Sequence, residues 1–124
     1  RAFTFPVTNL GFIGEDRLNT LYNQSAAALV VSLTNCSLLP LEIMATGCPV
    51  VVTAGENNEK ILPPDSAIFA LASPHHLAKA LEQAVKHPPK QEDLIAAAHQ
   101  FSWEAETARV EAILKRIALA RAGS

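Results

Sequence analysis

The stretch that decides the fold is "AALVVSLTNCSLLPLEIMATGCPVVVT", residues 27–53. A polar turn and a helix-forming segment lie there between two unbroken apolar runs, "AALVVS" at 27–32 and "PVVVT" at 49–53. Unbroken runs of this kind are typical of strands that are covered on both faces, as in a parallel sheet. We therefore interpret the stretch as a strand, a helix and a second strand, with links short enough for a right-handed crossover.

The same alternation of apolar runs and helix-period segments continues on both sides of this stretch. Two further strands are predicted at 7–10 and 67–71. Helices are predicted at 15–23, 38–46, 56–62, 75–87, 91–99 and 103–121. The predicted fold is α/β: a Rossmann-like parallel sheet with flanking helices and an all-helical C-terminal third.

The last predicted helix is amphipathic. Its apolar residues recur at the i, i+3, i+4 and i+7 spacing of one face: Val110, Ile113, Leu114 and Ile117. We expect this face to lie on another apolar surface, with Ser102 as the N-cap of the helix. Phe101 and Trp103 are expected to be packing residues that seat its beginning.

The composition is that of a globular protein. The chain has 124 residues, 49% hydrophobic and 18% charged, which is enough for one domain with a core. A formal charge of -2, without Lys/Arg clusters longer than two residues, argues against a nucleic-acid partner. No apolar run reaches the roughly 18 residues of a membrane span, and the N-terminus lacks a signal-peptide pattern. We expect a cytoplasmic protein, or one on the inner face of a membrane.

The sequence predicts no metal or cofactor site. Cys36 and Cys48 form no Cys-x-x-Cys pair and have no histidine at metal-ligand spacing. Two reduced, partly buried thiols are therefore expected. His75 and His76 are adjacent and would point about 100° apart on a helix, so they cannot share a metal ion.

The turn "TNCSLLPLE", residues 34–42, has the features of an anion site. Ser37 can cap the following helix, and Pro40 is tolerated in a first helical turn because its missing N–H would have no partner there. The free amides of Ser37, Leu38 and Leu39 would then point out of the helix start. Orphan amides at the positive end of a helix favour a phosphate or another anion.

Glu42 follows within the first helical turn, where its carboxylate could accept two hydrogen bonds from hydroxyl groups. The alternative is that it only complements the helix dipole, a stabilisation of roughly 0.3–1 kcal/mol. Gly47 is predicted to end the helix at the C′ position, with Pro49 just beyond it.

The order of these features resembles the C-terminal, nucleotide-sugar-binding domain of GT-B glycosyltransferases of family 4. That family often reads Glu, Gly-Phe-Gly, three residues, then Glu-Ala-Met-Ala-x-Gly-x-Pro-Val-Val, and this chain has "LEIMATGCPVVVT" at 41–53. Four other segments resemble further motifs of the family: "VTNLGFIGEDRLNTLYNQSAAALVVS" (7–32), "GENNEKIL" (55–62), "PHHLAKALEQAV" (74–85) and "FSWE" (101–104). The resemblance runs from about residue 7 to 104.

Carried over by position, the resemblance implies a donor site. Glu42 would take the ribose hydroxyls of the nucleotide, and the amides around Ser37, Leu38 and Leu39 would take the diphosphate. The base pocket would be lined, chiefly by backbone, by Gly11, Phe12 and Ile13. Preorganised amides can stabilise the leaving diphosphate without a metal. The chain contains no Asp-x-Asp, so the metal-dependent binding of the other common glycosyltransferase fold is not supported.

The chain departs from the family pattern before the helix. Thr34 stands where the family has its first glutamate, and Asn35, Cys36 and Ser37 replace Gly-Phe-Gly. This form resembles a subgroup of polysaccharide and rhamnose-polymer transferases, in which Thr34 or Asn35 would meet the sugar through neutral hydrogen bonds. The alternative is that both only cap and tighten the turn. Glu59, on the loop that approaches the donor sugar in the family, is a further candidate ligand, against a role at the helix start.

The resemblance implies a fragment of a retaining hexosyl or rhamnosyl transferase. Its partners would be a nucleotide-diphospho-sugar donor and a polysaccharide or glycolipid acceptor, and the parent enzyme could sit at a membrane surface. The donor phosphate would take the acceptor proton, so no catalytic side chain is expected. Residues 1–124 would form a single truncated nucleotide-sugar-binding domain without the acceptor domain, and alone it should not catalyse transfer. The rival is a non-catalytic α/β module for oligomerisation or interaction.

The family's strand order, 3-2-1-4-5-6, adds an expectation about the sheet. The strands at 7–10 and 27–32 would correspond to its third and fourth, with two absent strands between them. Because a gap would leave backbone groups unpaired, we expect one of two arrangements. Either the 7–10 strand shifts beside 27–32, or two chains form a homodimer through the exposed edge.

Overall fold

Helices and strands alternate along most of the chain in the computed structural model, which describes residues 3–122. The elements are α1 (Glu15–Gln24), β1 (Ala28–Val30), α2 (Leu39–Ala45), β2 (Val50–Thr53), α3 (Glu56–Ile61), β3 (Ile68–Ala70), α4 (Pro74–Lys86), α5 (Gln91–His99) and α6 (Trp103–Ala122). The α/β fold class and the helical C-terminal third are confirmed.

The three strands form a parallel sheet in the order β1-β2-β3. Ala28 of β1 lies opposite Val50 of β2, and Thr53 at the end of β2 lies opposite Ala70 of β3. All four residues of β2 are buried, as its unbroken apolar run predicts. Because the strands are parallel, the loops that follow β1 and β2 leave the sheet at the same edge.

The core lies on both faces of β2. On one face Val50 and Val52 cluster with Met44 of α2 and Leu94 of α5. On the other face Val51 clusters with the alanines of α4. Burying a valine, leucine or methionine side chain stabilises a fold by about 1.5–3 kcal/mol. This packing fixes the position of α2, which follows the polar turn.

The prediction of a strand at 7–10 is wrong. The segment forms no strand and is exposed, and the Asn9 side chain accepts a hydrogen bond of 2.9 Å from the Gly11 amide. This local turn, with Gly11 at a φ of 59°, competes with extended pairing. The expected shift of 7–10 to the side of β1 is therefore wrong as well. Among the described strands, β1 pairs with β2 alone.

Several predicted helix ends are confirmed. Gly47 has a φ of 76° just after α2, and its amide donates to Met44 O at 2.8 Å. Pro40 lies in the first turn of α2, where it breaks no hydrogen bond. The Ser102 hydroxyl accepts from the Ala105 amide at 3.1 Å, as expected of the N-cap of α6.

The environment of α6 differs from the prediction. Its apolar residues Val110, Ile113, Leu114 and Ile117 are between 48% and 60% exposed. No side chain of residues 103–121 is buried, so the helix packs little against the part of the chain described. The periodicity predicted an apolar face correctly, but not what covers it. Among the helices described, none combines the length and apolarity needed to cross a membrane.

Candidate functional site

The loops that follow β1 and β2 are joined by hydrogen bonds at the carboxyl edge of the sheet. The Ser32 amide donates to Thr53 Oγ1 at 3.0 Å, and the Thr53 hydroxyl donates back to Ser32 O. Asn58 Nδ2 donates to Ser32 O at 3.1 Å and to Thr53 O at 2.7 Å. Asn57 Nδ2 donates to Thr34 O at 2.7 Å. We call these five residues the sheet-end cluster.

A cavity of about 220 Å³ lies between these two loops, and we call it the sheet-end cavity. It is lined by Ser32, Leu33, Thr34, Asn35, Ala54, Gly55, Glu56, Asn57 and Asn58. Thr34 and Asn35, the two residues predicted to meet a sugar, are thus both at this cavity. In open α/β sheets this edge is where ligands bind. Most of the polar lining is neutral, which suits hydroxyl groups better than a cation.

Asn58 is one of several polar residues of this cavity that the sequence analysis missed, with Ser32, Glu56 and Asn57. Asn58 is only 3% exposed, and its Oδ1 is buried without a hydrogen-bond partner among the described residues. The signal that could have found it is the pair of asparagines in "GENNE", directly after a buried strand. Buried polar side chains are rare enough to need a reason.

Glu59, the predicted candidate in the same segment, has a different contact. Its Oε1 accepts a hydrogen bond of 3.1 Å from the Gly55 amide at the beginning of α3. The residue is exposed and is absent from the lining of the sheet-end cavity. This contact supports the second of the two roles considered for Glu59, a role at the helix start.

The beginning of α2 presents part of the expected amide group. The helix starts at Leu39 with Leu38 as N-cap, and the Leu39 amide donates to the Ser37 hydroxyl at 3.4 Å. Within the described residues, the amides of Ser37 and Leu38 have no hydrogen-bond partner. The free donors of the turn are thus two of the three that the sequence predicted.

Glu42 is exposed on α2 and borders two grooves. The first, the α1–α2 groove, has a volume of about 640 Å³ and is lined by Glu15, Leu18, Asn19, Tyr22, Glu42, Ala45 and Thr46. Burial, and then the negative charge of Glu42, raise the pKa of Tyr22. Glu42 and Tyr22 both line this groove. A carboxylate at the mouth of a groove of this size can accept hydrogen bonds from a bound ligand.

The residues predicted to line a base pocket lie just before α1. Gly11, Phe12 and Ile13 are absent from the lining of the α1–α2 groove, and Phe12 is fully exposed. The protein wall of the groove opposite α2 comes instead from one face of α1. Its positions 15, 18, 19 and 22 follow helical spacing, which is the signal that could have identified them.

The second groove beside Glu42 is the aromatic groove. It has a volume of about 480 Å³. Its wall includes Phe101, just before α6, Trp103, the first residue of α6, and Leu38 and Leu41 of the α2 region. Phe101 is half-buried, as a packing residue should be, but Trp103 is 77% exposed. The predicted packing role of Trp103 is therefore wrong within the described chain.

The cysteines and histidines form no metal cluster in residues 3–122. Cys36 is a half-buried free thiol and Cys48 a buried one, and burial raises the pKa of both. Thiols of raised pKa are weak nucleophiles at neutral pH.

His75 and His76 lie exposed in the first turn of α4, where the Ser73 hydroxyl is 2.7 Å from His76 Nδ1.

The parallel sheet, its flanking helices and the polar cavity at the carboxyl ends of its strands are those of a Rossmann-like α/β domain. The chain belongs to the glycosyl transferase-like family, since the model of that family matches residues 2–115. It is similar to the O-antigen biosynthesis protein RfbC of Myxococcus xanthus, with 33% identity over 110 residues. The match covers 84% of this chain but 9% of that protein, so the chain spans a small part of this relative. The resemblance to glycosyltransferases is thereby confirmed at the level of the family.

Proposed function

We propose that this chain is the donor-binding part of a glycosyltransferase with the GT-B fold, of the family 4 type, and that its donor is a nucleotide-diphospho-sugar. The observation that carries the proposal is the convergence of the loops after β1 and β2 on one polar cavity, whose lining is neutral except for Glu56. Glu42 and the free amides at the start of α2 lie on the helix between these two strands. The chain can therefore offer separate contacts to the parts of such a donor.

Each part of the donor would have a partner of matching chemistry. Glu42 accepts hydrogen bonds from the two ribose hydroxyls, and the base enters the α1–α2 groove beside Tyr22. Gly11, Phe12 and Ile13, at the chain entry to α1, are proposed to close over the base by backbone contacts. The exposed Glu42 carboxylate needs no rearrangement to do this, because no ion pair occupies it in the described chain.

The diphosphate and the sugar would lie between Glu42 and the sheet. The amides of Ser37 and Leu38 donate to the diphosphate oxygens. The Leu39 amide, which donates to the Ser37 hydroxyl in the structure, is proposed to turn to the diphosphate as well. Thr34 and Asn35 meet the sugar through neutral hydrogen bonds in the sheet-end cavity. Glu59 holds the Gly55 loop with one carboxylate oxygen, and its other oxygen is proposed to reach the sugar from the rim.

The chemistry proposed is retaining transfer of a hexosyl or rhamnosyl group to a saccharide or glycolipid acceptor. The bond from the sugar to the diphosphate breaks, and the amides at α2 stabilise the charge that develops on the leaving phosphate. The phosphate takes the proton of the acceptor hydroxyl as the new glycosidic bond forms. The name of the relative, an O-antigen biosynthesis protein, supports a polysaccharide or glycolipid acceptor.

Calorimetric titration with UDP, GDP and dTDP tests the donor site. We expect saturable binding of one nucleotide by the wild-type chain and its loss in Glu42→Ala. Glu82→Ala is the matched control, because Glu82 is an exposed glutamate of α4 that is paired with Lys86 and is absent from the lining of both grooves. If a folded wild-type chain binds none of the three nucleotides, the proposal is wrong.

Two observations favour a second candidate function, a non-catalytic interaction module. The apolar face of α6 is exposed, and β1 has one edge without a neighbouring strand among the described residues. A homodimer could cover either surface. Sedimentation over a range of concentrations tests this candidate, with Ile113→Glu as the variant that should weaken association through α6. A dimer that binds no nucleotide would favour the module over the transferase.

A further inference from the structure

The apolar face of α6 is uncovered in the part of the chain that the structure describes. The helix has 20 residues and is therefore about 30 Å long. Its apolar residues Val110, Ile113, Leu114 and Ile117 are between 48% and 60% exposed. Helices in proteins gain most of their stability from packing such a face, because an isolated helix is marginal in water. A second surface that covers this face would therefore stabilise α6.

Charged residues continue this face at both ends. Glu106 lies four residues before Val110, and Arg121 lies four residues after Ile117. Residues three or four apart lie on one side of a helix, so the row begins with an acid and ends with a base. We call this row the α6 stripe: Glu106, Val110, Ile113, Leu114, Ile117 and Arg121.

The charges of the whole helix follow the same order. Residues 103–112 contain three glutamates and one arginine, whereas residues 113–122 contain one lysine, two arginines and no acid. The helix dipole favours such charges only in the first and last turns. Arg116 lies outside these turns and forms no ion pair among the described residues. The dipole therefore does not account fully for the acidic half and the basic half of α6.

A second copy of α6 that runs antiparallel complements the stripe from end to end. Glu106 and Arg121 are equally far from the midpoint between Ile113 and Leu114. When the apolar centres of two antiparallel copies meet, Glu106 of each copy therefore lies level with Arg121 of the other. Parallel pairing would instead place like charges side by side, which is unfavourable. The antiparallel pair has a two-fold axis, as the interfaces of most homodimers do.

We propose that α6 is a dimerisation helix, whose stripe packs antiparallel on the stripe of a second copy of this chain. Of the two surfaces that a homodimer could cover, α6 is favoured over the edge of β1 because its charges complement themselves. The inference goes beyond the donor site and does not depend on it, since no residue of the stripe lines the sheet-end cavity or the α1–α2 groove. Glu106 is 2.9 Å from Arg109 in the single chain, but solvent-accessible pairs of this kind contribute little, so Glu106 can exchange this partner for Arg121.

The test is sedimentation equilibrium of the wild type and of charge variants of the stripe over a range of concentrations. We expect the wild type to dimerise. Arg121→Glu and Glu106→Arg should each weaken the dimer at least about tenfold, because each change makes two attractive contacts repulsive. The double variant Glu106→Arg/Arg121→Glu should recover most of the affinity, since it exchanges the two charges.

Glu104→Arg is the matched control. Glu104 is an exposed glutamate of the same first turn, but it lies two residues from Glu106 and therefore off the stripe. The control changes the charge and the interaction with the helix dipole as Glu106→Arg does. Its dimer constant should stay within about twofold of the wild type.

Three results would overturn the inference. A wild type that is monomeric at every concentration would have no such interface. Single variants that dimerise as tightly as the wild type would place the interface elsewhere. A double variant weaker than both single variants would show that Glu106 and Arg121 do not face each other.

Ile113→Ser keeps the inference testable if a charge variant loses helix by circular dichroism, because this change leaves the charges as they are. It should weaken the dimer at least about tenfold, since it removes an apolar contact at the two-fold axis from both copies. A dimer constant equal to that of the wild type would overturn the inference. The nucleotide titration decides the donor site separately.

Discussion

A Cβ atom added to Gly47 would overlap the Cγ atom of Gln91 and lie 2.8 Å from its Cδ atom. Gly47 has a φ of 76° at the end of α2, and Gln91 begins α5. The Gln91 side chain also donates to Thr46 O at 3.3 Å, across the contact between these helices. Gly47 therefore has two roles. It adopts the left-handed conformation that ends α2, and it leaves the space that the Gln91 side chain of α5 occupies.

Gly47→Ala should lower the free energy of unfolding by about 1–2 kcal/mol, because the left-handed conformation disfavours a side chain and Gln91 must move. Urea denaturation measures the change. Gly14→Ala is the matched control, since Gly14 has a φ of -74° and open space where its Cβ would lie. The control should change stability by no more than about 0.5 kcal/mol. Equal losses in the two variants would contradict the role assigned to Gly47.

The ionisation of Tyr22 should report the Glu42 carboxylate. The chain has one tyrosine, so the phenolate absorbance belongs to Tyr22 alone. Burial and then Glu42 raise its pKa above the ordinary 10.0. We expect Glu42→Gln to lower the midpoint of a spectrophotometric titration, though not fully to 10.0, since burial is the larger cause. An unchanged midpoint would mean that the two side chains are not close.

The raised pKa of Tyr22 also has a consequence for stability. Below pH 10.0 the phenol is neutral in both states, and its contribution is fully present. As the pH rises past 10.0, the unfolded chain loses this proton first, so the free energy of unfolding falls until the folded phenol ionises too. Tyr22→Phe should remove that part of the decline in alkaline urea denaturation. If the free energy of unfolding of Tyr22→Phe fell with pH as steeply as that of the wild type, this contribution of Tyr22 would be contradicted.

The Thr53 hydroxyl should hold the loop after β1. It is fully buried and bonds both the amide and the carbonyl of Ser32. Thr53→Val should lower the free energy of unfolding by about 1–3 kcal/mol, because the Ser32 amide loses its partner and Ser32 O keeps only its bond from Asn58, while the shape stays similar. Thr20→Val is the control, as its hydroxyl makes an exposed bond of 3.0 Å to Asp16 O. A loss as large in Thr20→Val would contradict the special role of the buried hydroxyl.

The exposure of Trp103 can be measured directly, because the chain has one tryptophan. At 77% exposure its fluorescence should be that of an indole in water and should be readily quenched by acrylamide. If α6 pairs with a second copy, the emission should shift to the blue as the protein concentration rises. A blue-shifted emission at every concentration would instead show Trp103 packed within a single chain.

Much of the secondary structure could be predicted because its causes are local. The helix at 91–99 has the same limits in the structure, and the valines of β2 are buried as their unbroken run indicates. The strand predicted at 7–10 failed because a strand also needs a neighbour, and no local pattern supplies one. At Asn9 a side-chain hydrogen bond to the Gly11 amide was available instead.

The site shows the same division. The turn of residues 34–42 and Glu42 could be singled out from residue types and spacing, and the structure places Thr34 and Asn35 on one cavity. The sequence could not predict which residues of the loop after β1 contact which residues of the loop after β2. Asn57 and Thr34 are 23 residues apart, and Asn58 and Ser32 are 26 apart. Nothing in the short segment "GENNE" tells which of its polar side chains will be buried.

By itself the sequence determined the α/β class, the parallel strands and the polar turn before α2, because hydrophobic periodicity and turn chemistry act over a few residues. Only the tertiary structure decided that Asn58 is buried between Ser32 and Thr53 and that α1 forms the wall opposite Glu42. Those relationships depend on the parallel register of β1 and β2 and on the packing of helices around them. Both are properties of distant segments that meet in the folded chain.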